Sequence, residues 1–285
     1  MKLVKTRFYK FVICRNCDVI LSDPMPTEKE LKKLYDKDYY VFSEARKHKD
    51  VAIAKEHLHK LLGHRKSGSL LDIGCGKGYF LNEAKKKGFQ VQGVEISKPA
   101  RNFGVEKLGL QIYNGTIEDF KPNKKYDIIT MYDLIEHLPN SLTSLKKVTS
   151  LLKENGLLIV ETPNFDSVYR QLSPFTRFWS GYNQFHIVFF NPRSASYIMK
   201  KAGLKPSITT SNASVFSKDA IWKSGLAIFV AAILRNIRFK RSVERMRSIK
   251  DSKKKVSTKK KKGFLDKLFN KYLMGDILEI YASKK

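Results

Sequence analysis

The chain contains 285 residues, of which 42% are apolar, and it carries a formal net charge of +28 at pH 7. This length and apolar content favour a globular α/β protein of ordinary domain size with appendages. Three cysteines in so long a chain exclude a disulfide-rich secreted scaffold, and the start MKLVKTRFYK lacks the apolar segment of a secretion signal. We therefore expect a cytoplasmic protein.

The first 65 residues are predicted to form a helical N-terminal cap. The segments ELKKLYD and HLHKLL have helical patterns. Thr27 and Glu30 have the spacing of a capping box, which marks the start of a helix.

Two cysteines of this cap, Cys14 and Cys17, have the C-x-x-C spacing of half a zinc ribbon. A structural zinc ion needs four ligands. We therefore favour a vestigial knuckle and predict no metal site, with His57, His59 or a second chain as the alternative source of ligands.

Strand and helix patterns alternate from residue 69 onward, which indicates βαβ units and a doubly wound, mostly parallel, Rossmann-like sheet. Helices are predicted after the first, second and fourth strands, and the helix that follows the second begins with Ser97 and Pro99. Such a sheet binds its ligand at the carboxyl ends of its strands. Strands are predicted over 69–73, 89–97, 111–115, 126–133 and 156–164.

The C-terminal third continues the same domain and then departs from it. Asn191 and Pro192 begin a further helix, a strand follows near 205–211, and an antiparallel last strand is expected at 275–284. The core therefore comprises 66–217 and 275–285, interrupted by an insertion at 218–274.

A glycine-rich loop, LLDIGCGKGYF at 70–80, joins the first strand of this core to a helix. Glycines let the backbone approach a ligand closely, and the helix N-terminus beyond them favours anionic groups. The spacing Gly74, Gly76, Gly78 is G-x-G-x-G and differs from the G-x-G-x-x-G of dinucleotide-binding folds.

The loop and three later segments together resemble the class I S-adenosylmethionine (SAM)-dependent methyltransferases. Asp72 to Gly78 resembles the first motif of that family, and Glu95 closes the second strand where the family has an acid. The segments YDIITMYDLIEHLPN and LLKENGLLIVETPN resemble the fourth-strand and fifth-strand motifs. The resemblance implies a Rossmann-like fold, SAM as cofactor and methyl transfer as the reaction.

The resemblance also implies roles for particular residues in holding the cofactor. Gly74, Gly76 and Gly78 bring the backbone to its amino-acid end, and Asp72 orders the loop and reaches the methionine amine through water. Glu95 binds the ribose hydroxyls. Further contacts are expected with the adenine, from Ile96, Thr116 and Ile117, and along the path to the methyl group, from Met131 and Tyr132.

A hydroxyl acceptor would need a base to remove its proton, and histidine is the usual one. His137 follows the fourth strand, and His186 lies in the aromatic loop FTRFWSGYNQFHIVFF, which we expect to form a substrate lid. Both are candidate catalytic residues. The structural alternatives are that His137 braces the loop with Glu136 and that His186 bridges the lid to the next helix.

The insertion at 218–274 is apolar and then strongly basic. The run SGLAIFVAAIL at 224–234 is too short to cross a membrane, and residues 235–262 hold fourteen Lys or Arg against two acids. This order favours peripheral binding to an anionic membrane surface through 220–262, on the inner face of the plasma membrane. Nucleic acid and a partner protein are the alternatives.

From these features we expect O-methylation of a small-molecule, glycan or lipid-linked acceptor. An RNA methyltransferase that uses the basic insertion is one alternative, although MYDLIEHLPN contains no NPPY-like or PC motif and nucleic acid is disfavoured. A non-catalytic SAM-binding or membrane scaffold protein is the other.

Overall fold

The computed structural model describes residues 3–5, 9–27, 30–31, 44–167, 170, 185–211 and 275–284. Most of the predicted lid and the whole insertion at 218–274 lie outside the described residues.

A seven-stranded sheet forms the centre of the protein, in the order β10-β11-β8-β7-β4-β5-β6. Strands β6, β5, β4, β7 and β8 are mutually parallel, and β11 is antiparallel to both β8 and β10. This arrangement confirms the predicted Rossmann-like fold with an antiparallel last strand. The strands are β4 (Ser69–Ile73), β5 (Gln90–Glu95), β6 (Ile112–Asn114), β7 (Tyr126–Tyr132), β8 (Leu152–Pro163), β10 (Leu204–Ser211) and β11 (Ile277–Lys284).

Five described α-helices accompany this sheet, and several begin and end at the residues that the sequence marks. Ser97 accepts a hydrogen bond from the Ala100 amide at the start of α3, and Gly109 ends that helix in the left-handed conformation. Asn191 and Ser194 form a reciprocal capping box at the start of α5. The helices are α1 (Glu44–Leu62), α2 (Tyr79–Lys86), α3 (Lys98–Leu108), α4 (Ser141–Leu151) and α5 (Pro192–Lys201).

The central strands β4 and β7 are buried on both faces of the sheet, which explains why they are largely apolar. On one face, β7 contributes Ile129 and Met131 to a core that also contains residues of α4 and α5. On the other face, Leu70 and Ile128 pack with Leu58 of α1 and with residues of α2. Alternate residues of each strand therefore serve opposite cores.

The N-terminal part is not purely helical, in contrast to the prediction. Strands β1 (Leu3–Lys5), β2 (Lys10–Ile13) and β3 (Ile20–Ser22) precede α1 and form a second, antiparallel sheet with β9 (Val188–Phe189). These strands have two to four residues each, which is too short for a reliable alternation pattern. The partner of β3 also lies far along the chain, so the pairing could not be anticipated.

Candidate active site

The glycine loop leaves the carboxyl end of β4 and enters α2 in a conformation that requires glycine. Gly74, Gly76 and Gly78 have φ angles of 72°, 55° and 79°, in the left-handed region that L-residues rarely adopt. A Cβ atom placed on Gly74 would lie 2.9 Å from Cδ1 of Leu134, the second residue after β7. Both the backbone angle and the space therefore exclude a side chain at Gly74.

The carboxylate of Glu95, at the end of β5, binds the backbone of this loop. Its Oε2 atom accepts a hydrogen bond of 2.8 Å from the Gly76 amide, and its Oε1 atom accepts one of 2.7 Å from the Ser97 amide. The residue is only 3% exposed. Because a carboxylate oxygen can accept more than one hydrogen bond, these contacts are compatible with additional bonds to a diol.

Asp72 lies at the carboxyl end of β4, two residues before the first glycine, and is buried. Its Oδ1 atom accepts a hydrogen bond of 2.6 Å from the Thr130 hydroxyl on β7. Burial raises the pKa of Asp72 to about 7, although the Thr130 hydrogen bond and the nearby His57 oppose the shift. The side chain therefore changes charge close to neutral pH.

The predicted adenine contacts divide between the surface and the core. Ile96 follows Glu95 directly and is 44% exposed, an unusual position for a large aliphatic side chain. Thr116 caps its own turn, where its hydroxyl donates to Asp119 Oδ2 at 2.8 Å. Ile117 is buried and packs in the core with Phe120. Of these three residues, Ile96 presents the open apolar surface that a flat ring needs.

The two residues predicted at the end of β7, Met131 and Tyr132, lie on opposite faces of the sheet. Met131 is fully buried in the core on one face of the sheet. Tyr132 points to the other face, where its ring stacks on the His57 imidazole of α1 at 3.8 Å between ring centres. Its hydroxyl is buried and has no hydrogen-bond partner among the described residues.

Helix α1 is attached to this face by a buried ionic cluster that the sequence analysis did not anticipate. Lys60 Nζ lies 2.8 Å from Glu161 Oε1 and 2.9 Å from Glu279 Oε1, on β8 and β11. His57 Nε2 lies 3.5 Å from the other carboxylate oxygen of Glu161. These partners hold the pKa of Glu161 at about 2 despite its burial. The sequence signal is a pair of acids, Glu161 and Glu279, each of which directly follows apolar residues of its strand.

The two candidate catalytic histidines, His137 and His186, lie close together near the end of β7. Their rings are 4.8 Å apart and nearly perpendicular. Nδ1 of His137 lies 2.9 Å from the carbonyl oxygen of Phe185, which fixes the residue immediately before His186. Burial and the neighbouring His186 lower the pKa of His137 to about 3, so the ring is neutral at physiological pH.

Glu136 lies beside this pair and is fully buried. Its Oε2 atom accepts a hydrogen bond of 2.9 Å from Thr162 of β8, and its backbone carbonyl accepts one from the Ile187 amide. Its Oε1 atom, without a hydrogen-bond partner among the described residues, lies 3.9 Å from Nε2 of His186. Burial raises the pKa of Glu136 well above its usual range.

Among the described residues, Glu136, His137 and His186 form a cluster with the geometry to hold a metal ion. One ligand atom from each lies within 4.8 Å of the others. Because the three come from two segments far apart in sequence, their spacing does not resemble a metal motif, and no metal ligand is predicted from it.

Comparison with known proteins identifies the family. The family model of a methyltransferase domain matches residues 42–207, which is more than half of the chain. The chain belongs to this family. The family prediction is therefore confirmed, and the half zinc knuckle of the cap stays a prediction.

Curated relatives match a shorter region. The chain is 33% identical over 100 residues to the ubiquinone biosynthesis O-methyltransferase of Bradyrhizobium diazoefficiens, covering 33% of this chain and 40% of that protein. It is also 33% identical over 106 residues to the enzyme of the same name from Actinobacillus pleuropneumoniae serotype 7, covering 33% and 45%. The chain thus spans less than half the length of these relatives.

Among solved structures, a SAM-dependent methyltransferase from Archaeoglobus fulgidus superposes with a TM-score of 0.53. The two proteins are 18% identical, and the match covers 82% of this chain and 94% of the other. This likeness supports the fold described above. Within the described residues, no helix is both long and apolar enough to span a membrane.

Proposed function

We propose that this protein is a SAM-dependent methyltransferase that methylates a hydroxyl group of a small-molecule acceptor. The observation that carries the proposal is the glycine loop, whose left-handed Gly74 and Gly76 are held by the buried carboxylate of Glu95. The alternatives of an RNA methyltransferase and a non-catalytic scaffold have no support in the comparisons.

The residues present fit the cofactor that the family implies. The three glycines of the loop have no side chain to cover the backbone that would meet the amino-acid end. Glu95 bonds to the loop, and Ile96 next to Glu95 is exposed and apolar. When bound, SAM supplies a methyl group already activated by its sulfonium. The chain's own part is then to position the acceptor in line with the methyl group and to exclude water.

For a hydroxyl acceptor, we assign the role of general base to His186 and a positioning role to His137. The neutral His137 has a pKa of about 3, too low for a base at neutral pH, and its Nδ1 contact to Phe185 fixes the segment that carries His186. Oε1 of Glu136 lies 3.9 Å from Nε2 of His186, so a proton taken up by His186 would favour ionisation of the neighbouring Glu136 carboxyl, whose pKa is otherwise raised by burial.

The acceptor class follows from the relatives and from the sequence of the insertion. Both curated relatives are named as O-methyltransferases of ubiquinone biosynthesis, which favours a hydroxyl on a small, aromatic or lipid-linked molecule. A glycan is the second acceptor class. The apolar and basic run at 220–262 would bring the enzyme to an anionic membrane surface where lipid-linked acceptors are found.

The test is transfer of an isotope-labelled methyl group from SAM to matched aromatic alcohols and amines, with and without anionic vesicles. We expect product from the alcohols and a loss of at least a hundredfold in kcat for His186→Asn. The matched control, His137→Asn, should retain more kcat than His186→Asn. Transfer to amines alone, or full activity of His186→Asn, would contradict the assignment.

A further inference from the structure

Asn164, the last residue of the fifth-strand motif, lies directly beyond β8 and is fully buried. An asparagine side chain offers an acceptor oxygen and a donor NH2 group. The Oδ1 atom accepts a hydrogen bond of 3.0 Å from the Asp166 amide, and the Nδ2 group donates one of 2.8 Å to the Gly275 carbonyl. Both ends of the side-chain amide therefore have a partner.

The Oδ1 contact turns the chain after β8. A side-chain oxygen that accepts from the amide two residues further on replaces the hydrogen bond of a backbone turn. Within this turn the Phe165 amide donates to the Phe190 carbonyl at 2.8 Å, and the Phe165 ring lies 5.6 Å from the Phe189 ring between centres. The Phe189 ring is in turn 6.0 Å from the His186 ring. The turn therefore contacts the segment that carries His186.

The Nδ2 contact fixes the point where the chain returns from the insertion. Strands β10 and β11 are antiparallel neighbours, with Ser211 opposite Ile277 and Ile277 opposite Pro163. The chain therefore leaves β10 and enters β11 at the carboxyl edge of the sheet. There the Asp276 carbonyl accepts a hydrogen bond of 2.8 Å from the Asn164 amide. The same residue thus joins this return point to the turn after β8.

Three contacts restrain the segment that carries His186. The Glu136 carbonyl accepts a hydrogen bond of 3.0 Å from the Ile187 amide, and the two residues of β9 pair with β3. The contacts of Phe165 restrain the end of the segment. Because β9 is short and lies at the edge of a small sheet, its own pairing holds it weakly and its position depends on the contacts at both ends.

We propose that Asn164 is a positioning residue for methyl transfer, which keeps the segment of His186 where this base reaches the acceptor. This role rests on the proposed function. Without the asparagine side chain, one end of the segment loses its fixed position, and the base is less often oriented toward the acceptor. The cofactor loop should be unaffected, because it follows β4, which β7 separates from β8.

The experiment compares Asn164→Ala and Asn164→Ser with the wild-type, full-length chain. We expect Asn164→Ala to lower kcat for an aromatic alcohol at least tenfold, while the SAM dissociation constant in calorimetric titration stays within twofold. Asn164→Ser should keep more of the kcat, because a serine hydroxyl forms the same turn more weakly. Binding of SAM also shows that the variants are folded.

Hydrogen exchange of backbone amides tests the positioning without any product. In Asn164→Ala, exchange should become faster in 185–190 and stay unchanged in the cofactor loop at 72–80. Tyr126→Phe is the matched control, because it removes a hydrogen bond of 2.6 Å from the Tyr126 hydroxyl to Gln92 at the start of β7. This variant should keep its kcat within twofold and its exchange in 185–190 unchanged.

Equal kcat in Asn164→Ala and the wild type would overturn the proposal, and so would a loss of kcat that Asn164→Ser does not reduce. A matching loss of SAM affinity would overturn it as well, because the effect would then reach the cofactor site. Unchanged exchange of 185–190 in Asn164→Ala would do so independently of activity. Absence of methyl transfer by the folded wild type would instead contradict the proposed function itself.

Discussion

Gly74 combines a left-handed backbone with a lack of space for a side chain, and both are needed at the candidate cofactor loop. We predict that Gly74→Ala weakens SAM affinity at least tenfold, because the new methyl group would displace Leu134 or the loop. Gly88→Ala is the matched control. Its φ is 89°, yet its surroundings leave the Cβ atom free of contacts within 4 Å.

Both variants should lose stability, on the order of 1 kcal/mol, from the left-handed backbone alone. Only Gly74→Ala should lose cofactor affinity in a calorimetric titration. Equal affinities for the two variants would show that the shape of the loop does not determine binding.

Asp72 gives the fold a dependence on pH at the residue scale. Its pKa in the folded protein, about 7, lies above its value of about 3.9 in the unfolded chain, so the folded state holds the proton more tightly. The free energy of unfolding should therefore fall as the pH rises through this window and level off above pH 7. Over the whole window the expected loss is about 4 kcal/mol, because one pKa unit corresponds to about 1.4 kcal/mol.

Asp72→Asn should flatten this decline in urea unfolding measured from pH 5 to pH 8. Asp127→Asn is the control, because the Ser69 and Lys153 contacts hold the pKa of Asp127 at about 2 and its titration lies below this window. An unchanged slope in Asp72→Asn would mean that Asp72 is ionised throughout.

The sequence was sufficient to identify individual residues whose role is local. The loop glycines and the Ser97 and Asn191 caps depend on near neighbours in the chain, so short motifs revealed them. The positions of Met131 and Tyr132 were harder to predict. Alternation along β7 places them on opposite faces of the sheet, and neither face is polar enough to be distinguished from the sequence. Burial of Ile117 was missed for a similar reason.

At the scale of elements, α1 depends on a buried ionic cluster for its attachment to the sheet. Lys60→Met would leave the carboxylates of Glu161 and Glu279 without their cation, at a cost of about 3 kcal/mol. Lys153→Met is the control, since its partner Asp127 is exposed and the pair should contribute less than about 1 kcal/mol. Urea midpoints at pH 7 compare the two.

The contribution of this ionic cluster to the free energy of unfolding depends on pH. Because the pKa of Glu161 is lowered to about 2, its contribution is complete above the unfolded value of about 4.3 and is lost as the pH falls towards 2. Similar urea midpoints for Lys60→Met and Lys153→Met would contradict a role of this cluster in holding α1.

Some of the strands could be predicted from the sequence, but the contacts between distant elements could not. The parallel strands β4, β5, β7 and β8 were predicted because each contains apolar residues in a strand pattern and is followed by a turn or a helix. The β3–β9 pairing and the contact of Lys60 with β8 and β11 join segments more than 100 residues apart. A single sequence contains no local signal for such contacts.

At the scale of the whole molecule, residues from distant parts of the chain lie at the carboxyl edge of the sheet. Glu95 and the glycine loop meet beyond β4 and β5, and His137 and His186 meet beyond β7 beside β9. The proposed cofactor site and the proposed proton acceptor therefore lie at the same edge of the sheet. The proposed function depends first on the binding of the cofactor at this edge.

Calorimetric titration with SAM and S-adenosylhomocysteine, on the wild-type chain and on Glu95→Ala, tests that claim most directly. We predict micromolar binding of both compounds to the wild type and a loss of at least a hundredfold in Glu95→Ala, because the carboxylate accepts a hydrogen bond from the Gly76 amide and is the proposed ligand of the ribose hydroxyls. Thermal unfolding of both proteins without ligand confirms that they are folded. Absence of binding to folded wild-type protein, or equal binding to both, would contradict the proposed function.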